Sequence, residues 1–288
     1  MTTSLLWFSV ALMVAALLLK KDNKLAEMIC GAGWLIFGFY WITLIPYYYA
    51  KADYTNIVLT LLLFSFCAIL AHFIARAFRN QTRRNQPKHE EAVALNNKVD
   101  LMFDLTKLIA VVCIIYMPFS LFTPLNHLII ETVATQTVNI LNFLGYSATL
   151  VAYNTIAYNG IMVTVILACT AIESIAFFTG LILAVPDNSA KKKTIAFLLT
   201  VPVIYFSNLL RNIFIVAAYG DLWFGPNSFE IAHHYIAKAG SGIALIILAY
   251  ITMKLLPNLI DTVLGLWDLF VDEIKYIFRM ESKTKKSE

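Results

Sequence analysis

Seven long runs of apolar residues, separated by short polar or charged stretches, constrain the fold of this chain more than any other feature of its sequence. A helix crosses the roughly 30 Å hydrocarbon core of a bilayer with about 20 apolar residues, because its backbone polar groups must be satisfied within the helix. Hydrophobic residues make up 60% of the 288 residues, and the mean hydropathy is +0.73, which excludes an ordinary soluble domain. The predicted fold is an all-α polytopic membrane protein with about seven transmembrane helices, at residues 5–19, 26–49, 57–78, 101–122, 168–185, 194–219 and 231–256.

Charged stretches divide the chain into three predicted regions. Residues 1–100 hold the first three spans and a basic linker, and residues 101–258 hold the other four. Residues 259–288 form a tail in which large apolar side chains such as Trp267 adjoin acidic ones such as Asp268. This mixture is typical of an amphipathic helix at the membrane interface, and whether residues 259–280 span the membrane stays open.

The distribution of lysine and arginine predicts the orientation in the membrane. Cytoplasmic loops retain basic residues, and in this chain they are concentrated at residues 20–24, 76–98, 191–193 and 254–286. Placing these four segments inside puts the N-terminus outside and the C-terminus in the cytoplasm, with Lys51, Arg211 and Lys238 in the outer half. The predicted location is the plasma membrane, and the net charge of +4 is explained by contact with the inner leaflet, so no nucleic-acid partner is predicted.

Three predicted spans bring a thiol, a guanidinium and an imidazole to the same outer level of the membrane. Cys169 begins the fifth span, and His233 and His234 begin the last one. Arg211 lies about 17 residues, or roughly 25 Å, into a span that starts inside. An ionisable residue within a span is costly and usually marks function, so this cluster is the candidate active site.

Several neighbouring polar residues are candidates for supporting roles. Glu173 lies one helical turn after the cysteine and is the predicted partner of Arg211. Asn208 and Asn212 flank the arginine on its helix, and Lys238 is either a lysine that snorkels to the interface or a substrate contact. The other cysteines lie at different depths and are predicted to be packed as apolar side chains without disulfides: Cys30, Cys67 and Cys113.

The segment between the fourth and fifth spans, residues 123–167, is neither strongly apolar nor charged. The spacing of apolar residues over 125–144 predicts an amphipathic helix that rests on the outer surface. Asn159-Gly160, between residues 156–158 and 161–163, predicts a short β-hairpin. We expect this hairpin to fix Cys169 at the start of its helix, where the positive helix end favours a thiolate, and to offer an edge for an extended peptide.

At these residues the sequence resembles the exosortase/archaeosortase family of membrane transpeptidases. The resemblance is specific over residues 153–242 and covers the earlier spans only in hydropathy. It implies that residues 101–258 form a catalytic membrane domain, with Cys169 as the nucleophile and Arg211 as the catalytic arginine. The matching pieces are Ala168-Cys169-Thr170-Ala171-Ile172-Glu173-Ser174, Asn208-Leu209-Leu210-Arg211-Asn212, and Ala232-His233-His234 followed by Gly240-Ser241.

Two positions depart from the family pattern. Ala171 stands where the family usually has a glycine after the Cys-Thr or Cys-Ser pair. Two adjacent histidines compete for the third catalytic role, which belongs to an arginine in some archaeal members. The family pattern of a histidine directly after a small residue favours His233, which follows Ala232, and His234 stays an alternative.

The resemblance also implies a reaction and its partners. The substrates would be exported proteins whose C-terminal sorting signal has three parts, a short motif, a hydrophobic helix and a basic cluster. The family cuts at the motif on the outer face through a cysteine thioester, and archaeal members, which this sequence resembles most, join the new C-terminus to a membrane lipid. Arg211 would hold the oxyanion and His233 would move the proton.

Other functional classes are weighed against this one. A non-enzymatic membrane protein, such as a small transporter or an assembly subunit, would also have several spans, but transporters tend to show inverted repeats and midplane sites, which this sequence lacks. A zinc membrane protease would need a motif such as His-Glu-x-x-His, which is absent. No motif indicates a metal or an organic cofactor, so none is predicted.

Overall fold

The computed structural model describes residues 2–19, 23–82, 89–186 and 188–284, which are mostly helical with one small sheet. Its strands are Thr149–Ala152 (β1), Thr155–Tyr158 (β2) and Ile161–Thr164 (β3). Its helices are Thr2–Leu18 (α1), Lys24–Ile42 (α2), Ile45–Ala50 (α3), Tyr54–Thr82 (α4), His89–Leu121 (α5), Thr123–Phe143 (α6), Ile172–Ala184 (α7), Ala190–Gly220 (α8), Ser228–Glu230 (α9), Lys238–Leu255 (α10) and Asn258–Thr284 (α11). Between them lie 3₁₀ turns at Leu167–Cys169 and Gly225–Asn227 and a π-helix at Ile231–Ala237.

Four helical segments in the described part of the chain are long and apolar enough to cross a membrane: Lys24–Ala50, Tyr54–Arg79, Ala190–Gly220 and Gly225–Leu255. A fifth candidate is the pair Val93–Leu121 and Thr123–Phe143, whose helices meet at 90°. Two further apolar helices, Thr3–Leu18 and Ile172–Ala184, are shorter. A multi-span helical membrane protein is therefore confirmed, with four or five spans supported by length and composition where the sequence predicted about seven.

Part of the predicted orientation depends on basic residues outside the described part of the chain. These basic residues are Lys20, Lys21, Arg83, Arg84, Lys88, Lys285 and Lys286.

The chain folds as two compact units, of which the first comprises Met1–Ala110 with Asn258–Glu288. Close packing of α1, α2 and α4 is possible because glycines face their neighbours; Gly38, for example, lies against Cys67. Helix α11 covers the predicted tail helix of residues 259–280, and the presence of a helix there is confirmed. The carboxylate of Glu273 on this helix is fully buried and pairs with Arg76 and His72 of α4, an ion-pair cluster that the sequence did not predict.

The second unit, Val111–Pro257, contains the sheet and all the candidate site residues. The predicted hairpin is confirmed: β2 and β3 pair antiparallel, and both Asn159 and Gly160 have positive φ, 50° and 81°. Such angles at both turn residues match a type I′ turn, which suits the twist of paired strands. Strand β1 extends the pair to a three-stranded sheet of order β1-β2-β3, so β3 is an edge strand.

A hydrophobic core holds this sheet against two helices. Buried residues of α6, such as Val133 and Leu141, pack with Ile156 of β2 and with Val216 of α8. Cys169 packs against the rim of the same core. The predicted amphipathic helix at residues 125–144 is therefore present as α6, and its buried face contacts the hairpin and α8, which fixes the segment that leads to the cysteine.

Candidate active site

Cys169 lies on a tight turn just before α7. The 3₁₀ turn is closed by backbone hydrogen bonds from Cys169 to Ile166 and from Thr170 to Leu167, of 2.8 and 3.0 Å. The hydroxyl of Thr170, a fully buried residue, also donates to the Leu167 carbonyl at 2.6 Å. This turn holds the cysteine in one backbone conformation between the sheet and the helix.

Helix α7 begins at Ile172, not at residue 168 as the sequence predicted, so Cys169 does not lie in the first turn of the helix. The reason is Ala171, which has φ of 61° in the left-handed region and separates the 3₁₀ turn from the helix. That conformation favours glycine because it is strained for residues with a Cβ. The structure thus gives a physical reason for a glycine at this position in the family pattern.

Two asparagines of α8 hold the backbone of Cys169. The side-chain amides of Asn208 and Asn212 both donate to the Cys169 carbonyl oxygen, at 2.6 and 3.0 Å. These asparagines are one helical turn apart, with Arg211 between them on the same helix. The side-chain amides on either side of Arg211 therefore anchor its turn of α8 to the cysteine turn.

Arg211 also contacts His233. A guanidinium nitrogen of Arg211, Nη2, lies 3.4 Å from Nε2 of His233. The imidazole of His233 is half-buried and stacks on Phe229, with ring centroids 5.2 Å apart and planes 7° apart. His234 is exposed, and its ring meets His233 edge-on at 4.7 Å. The geometry therefore distinguishes the two adjacent histidines.

The two histidines lie on the π-helix Ile231–Ala237, which leads into α10. A π-helix adds a residue to the helical turn, so its side chains point in directions that a regular α-helix does not offer, and such turns are frequent at functional sites. The sequence predicted a helix here but gave no signal for its π geometry.

Cys169 and His233 line the same cleft, which we call the Cys169 cleft and which has a volume of about 370 Å³. Edge strand β3 forms one wall through Met162, Val163 and Thr164, and Asn212 and its neighbours on α8 form another. In the described residues no hydrogen bond joins the sulfur to the imidazole or to the guanidinium. The cleft therefore gathers a thiol, an imidazole and an open strand edge, with room between them.

Glu173 has a different partner from the one predicted. Its carboxylate accepts a hydrogen bond of 3.1 Å from the hydroxyl of Tyr116, and no ion pair joins it to Arg211 among the described residues. The helix start at Ile172 places Glu173 in the first turn of α7, after the left-handed residue Ala171.

The hairpin tip is tied to the end of α8 by Asp221. Its carboxylate oxygen Oδ1 accepts hydrogen bonds from the Tyr158 hydroxyl at 2.7 Å and from the Asn159 amide at 3.1 Å. The first of these bonds stabilises the protonated phenol and raises the pKa of Tyr158 to about 12. These contacts hold β3, and with it one wall of the Cys169 cleft, against α8.

Exposure distinguishes Cys169 from the other three cysteines. Cys30, Cys67 and Cys113 are buried, as the sequence predicted, whereas Cys169 is partly exposed, and all four are free thiols. A thiol must be reachable to act as a nucleophile. Cys169 is the cysteine that meets this condition.

Fold and site together define the class of protein: a multi-span helical membrane protein in which a partly exposed thiol shares a cleft with an imidazole that contacts a guanidinium. The chain belongs to the transmembrane exosortase family, whose model matches residues 3–251. It is 27% identical to archaeosortase A of Haloferax volcanii over 90% of each chain. It is 25% identical to archaeosortase A of Natronomonas pharaonis over 90% of this chain and 86% of that one. No solved structure matches the chain.

Proposed function

We propose that the protein is a cysteine transpeptidase that cleaves the C-terminal sorting signal of exported proteins at the outer membrane face and transfers the new C-terminus to a membrane lipid. Family membership and the similarity to archaeosortase A support this class of activity. The observation that carries the proposal is that Cys169, the partly exposed cysteine, lines one cleft with His233, which contacts Arg211.

Each of the three side chains has a defined chemical role in this proposal. His233 accepts the proton of the Cys169 thiol, and the sulfur attacks the carbonyl carbon of the scissile peptide bond. Arg211, which stays charged at any relevant pH, stabilises the negative charge that develops on the carbonyl oxygen. The carbon–nitrogen bond then breaks, the leaving amine takes the proton from His233, and a Cys169 thioester remains. A nucleophile on the acceptor lipid attacks the thioester carbonyl and releases the thiol.

The edge of β3 supports an extended conformation of the substrate. Met162, Val163 and Thr164 line the Cys169 cleft, and β3 pairs on one side only, with β2. An extended peptide can add to such an edge through backbone hydrogen bonds, which bind many sequences, while side-chain pockets select the motif.

We propose that the two short apolar helices, Thr3–Leu18 and Ile172–Ala184, also cross the membrane, which restores the predicted total of seven spans. Helix α7 has 13 residues and is roughly 20 Å long, shorter than the hydrocarbon core. A short span of this kind is consistent with a cysteine turn recessed into the outer leaflet. The basic segments support an outer active site and a cytoplasmic C-terminus.

The test is mass spectrometry of an exported protein that ends in a motif, a hydrophobic helix and a basic cluster, co-expressed with the enzyme in its membrane. We expect a shortened C-terminus with the parent enzyme and with Cys113→Ala, a matched control in which a buried cysteine is replaced. With Cys169→Ala we expect the full-length substrate, although the variant is present in the membrane. Normal processing by Cys169→Ala would refute the proposal.

A further inference from the structure

A second cleft lies between α7, α8 and α10, and Arg211 lines this cleft but not the Cys169 cleft. We call it the Lys238 cleft; its volume is about 440 Å³. Arg211 and Lys238 both line it, and no aspartate or glutamate is among its described lining residues. Among the described residues, the Lys238 ammonium makes no hydrogen bond or ion pair. Two cations without a carboxylate between them make this cleft attractive to an anion.

The Lys238 cleft continues as a mostly apolar groove between α7 and α10. A third cleft, of about 430 Å³, shares Ser174 and Leu245 with it. Its other lining residues are Glu173, whose carboxylate accepts a hydrogen bond from Tyr116, and the apolar Phe177, Phe178, Ile246 and Ala249. The Lys238 cleft itself is wide because its walls carry small residues. One of them is Gly240, at which an added Cβ would meet no atom within 4 Å. The occupant therefore combines a negative charge at one end with an apolar body.

The length of the groove suits an acyl or prenyl chain. Lys238 and Ala249 are 11 residues apart on α10, which corresponds to about three helical turns. An extended lipid chain is thinner than a helix and can follow the groove along its whole length.

We propose that the Lys238 cleft and the groove below it bind a membrane lipid that carries a phosphate, with the phosphate at Lys238 and a chain between α7 and α10. The lysine ammonium is a compact charge that suits a phosphate oxygen, and the apolar groove accounts for the chain. Arg211 and the Asn208 amide also line this cleft, so the head group lies beside the turn that carries Cys169. That this lipid is the acceptor of the cleaved protein rests on the function proposed above.

The chain offers two pairs of matched variants for a binding test that needs no catalysis. Lys238→Gln removes the charge in the cleft, and Lys254→Gln removes an exposed charge near the other end of α10. Gly240→Leu fills the cleft, whereas Gly242→Leu adds the same side chain at a position that does not line it. Neither glycine has an atom within 4 Å of an added Cβ, so both leucine variants are expected to fold.

Delipidated full-length protein with Cys169→Ala is titrated with phosphatidylglycerol or with diacylglycerol of the same chains, and bound lipid is counted by native mass spectrometry. We expect phosphatidylglycerol to bind at least tenfold more tightly than diacylglycerol. Lys238→Gln and Gly240→Leu should each weaken its binding at least tenfold, and the two controls should stay within twofold of the parent. Equal binding of the two lipids, or equal loss in test and control variants, would overturn the proposal.

A third ligand distinguishes a lipid from a peptide in the groove. An apolar peptide with a free C-terminal carboxylate should leave bound phosphatidylglycerol in place. If the peptide displaces the lipid from the parent but not from Lys238→Gln, the groove would be assigned to the protein substrate instead. The acceptor role is read separately, as the ratio of lipid-linked to hydrolysed product, which should fall in Lys238→Gln. If no variant or parent processes any substrate, the proposed function fails and the binding result still decides the lipid site.

Discussion

The asparagine pair of α8 allows a quantitative test of how the cysteine is positioned. Asn208 and Asn212 both donate to the Cys169 carbonyl, at 2.6 and 3.0 Å. Substituting them leaves the thiol, the guanidinium and the imidazole of the site in the protein. Leucine has nearly the same shape as asparagine without its donors. Asn208→Leu and Asn212→Leu therefore remove one contact each, and the double variant removes both.

The expected losses follow from the energy of a hydrogen bond. A neutral hydrogen bond contributes about 1 kcal/mol net, so each single variant should lower kcat about fivefold. The double variant leaves the carbonyl without either donor and frees the turn to move. A displacement of about 1 Å at a reacting group can cost about 100-fold, so we expect a loss of that order, greater than the product of the two single effects.

The assay is substrate processing by purified enzyme in vesicles, with kcat, KM and the thermal midpoint measured for each variant. KM should change less than kcat, because both side-chain amides are engaged with the Cys169 carbonyl. Asn142→Leu is the control: its amide makes two hydrogen bonds with Ala148, far along the chain from the cysteine turn. It should reduce stability and leave kcat of the folded enzyme unchanged. A double variant of the α8 pair with kcat within twofold of the parent would refute the positioning role.

Three further predictions concern single residues. His233→Ala should reduce kcat at least 100-fold, whereas His234→Ala, which removes the exposed neighbour, should change kcat less than fivefold. Equal losses of kcat in the same processing assay would remove the distinction between the two histidines. Ala171→Gly should raise the free energy of unfolding by about 0.5–1 kcal/mol, because φ of 61° is strained for alanine; a lower thermal midpoint would show that the left-handed turn is not the native one. Glu273→Gln should destabilise the protein by about 3 kcal/mol, measured by thermal unfolding, because it leaves the guanidinium of its ion pair without a charge partner; an unchanged midpoint would exclude this pair as a stabilising contact.

Local patterns in the sequence were sufficient for the elements of the fold. Apolar runs predicted the long helices, because a spanning helix must present apolar side chains over its whole length. The Asn159-Gly160 pair predicted the hairpin, because both residues tolerate the positive φ that its turn requires. The start of α7 was misplaced because the left-handed conformation of Ala171 leaves no mark on an apolar run.

Contacts between distant parts of the chain could not be predicted in this way. The carbonyl of Cys169 is held by side chains 39 and 43 residues further on, and the carboxylate of Glu273 meets Arg76, 197 residues away. A backbone carbonyl has no identity in the sequence, so the polar residues beside Arg211 could be named as candidates without their target. Spacing alone predicted that Glu173 pairs with Arg211, although the hydrogen-bond partner of Glu173 is the Tyr116 hydroxyl.

The central claim, that Cys169 is a reactive thiol at the outer face, is tested most directly by labelling intact cells with a maleimide that cannot cross membranes. We predict that the reagent modifies Cys169, spares the three buried cysteines, and abolishes substrate processing in proportion to the modified fraction. Processing that continues when Cys169 is fully modified, or labelling of Cys169 that requires opened membranes, would contradict the account.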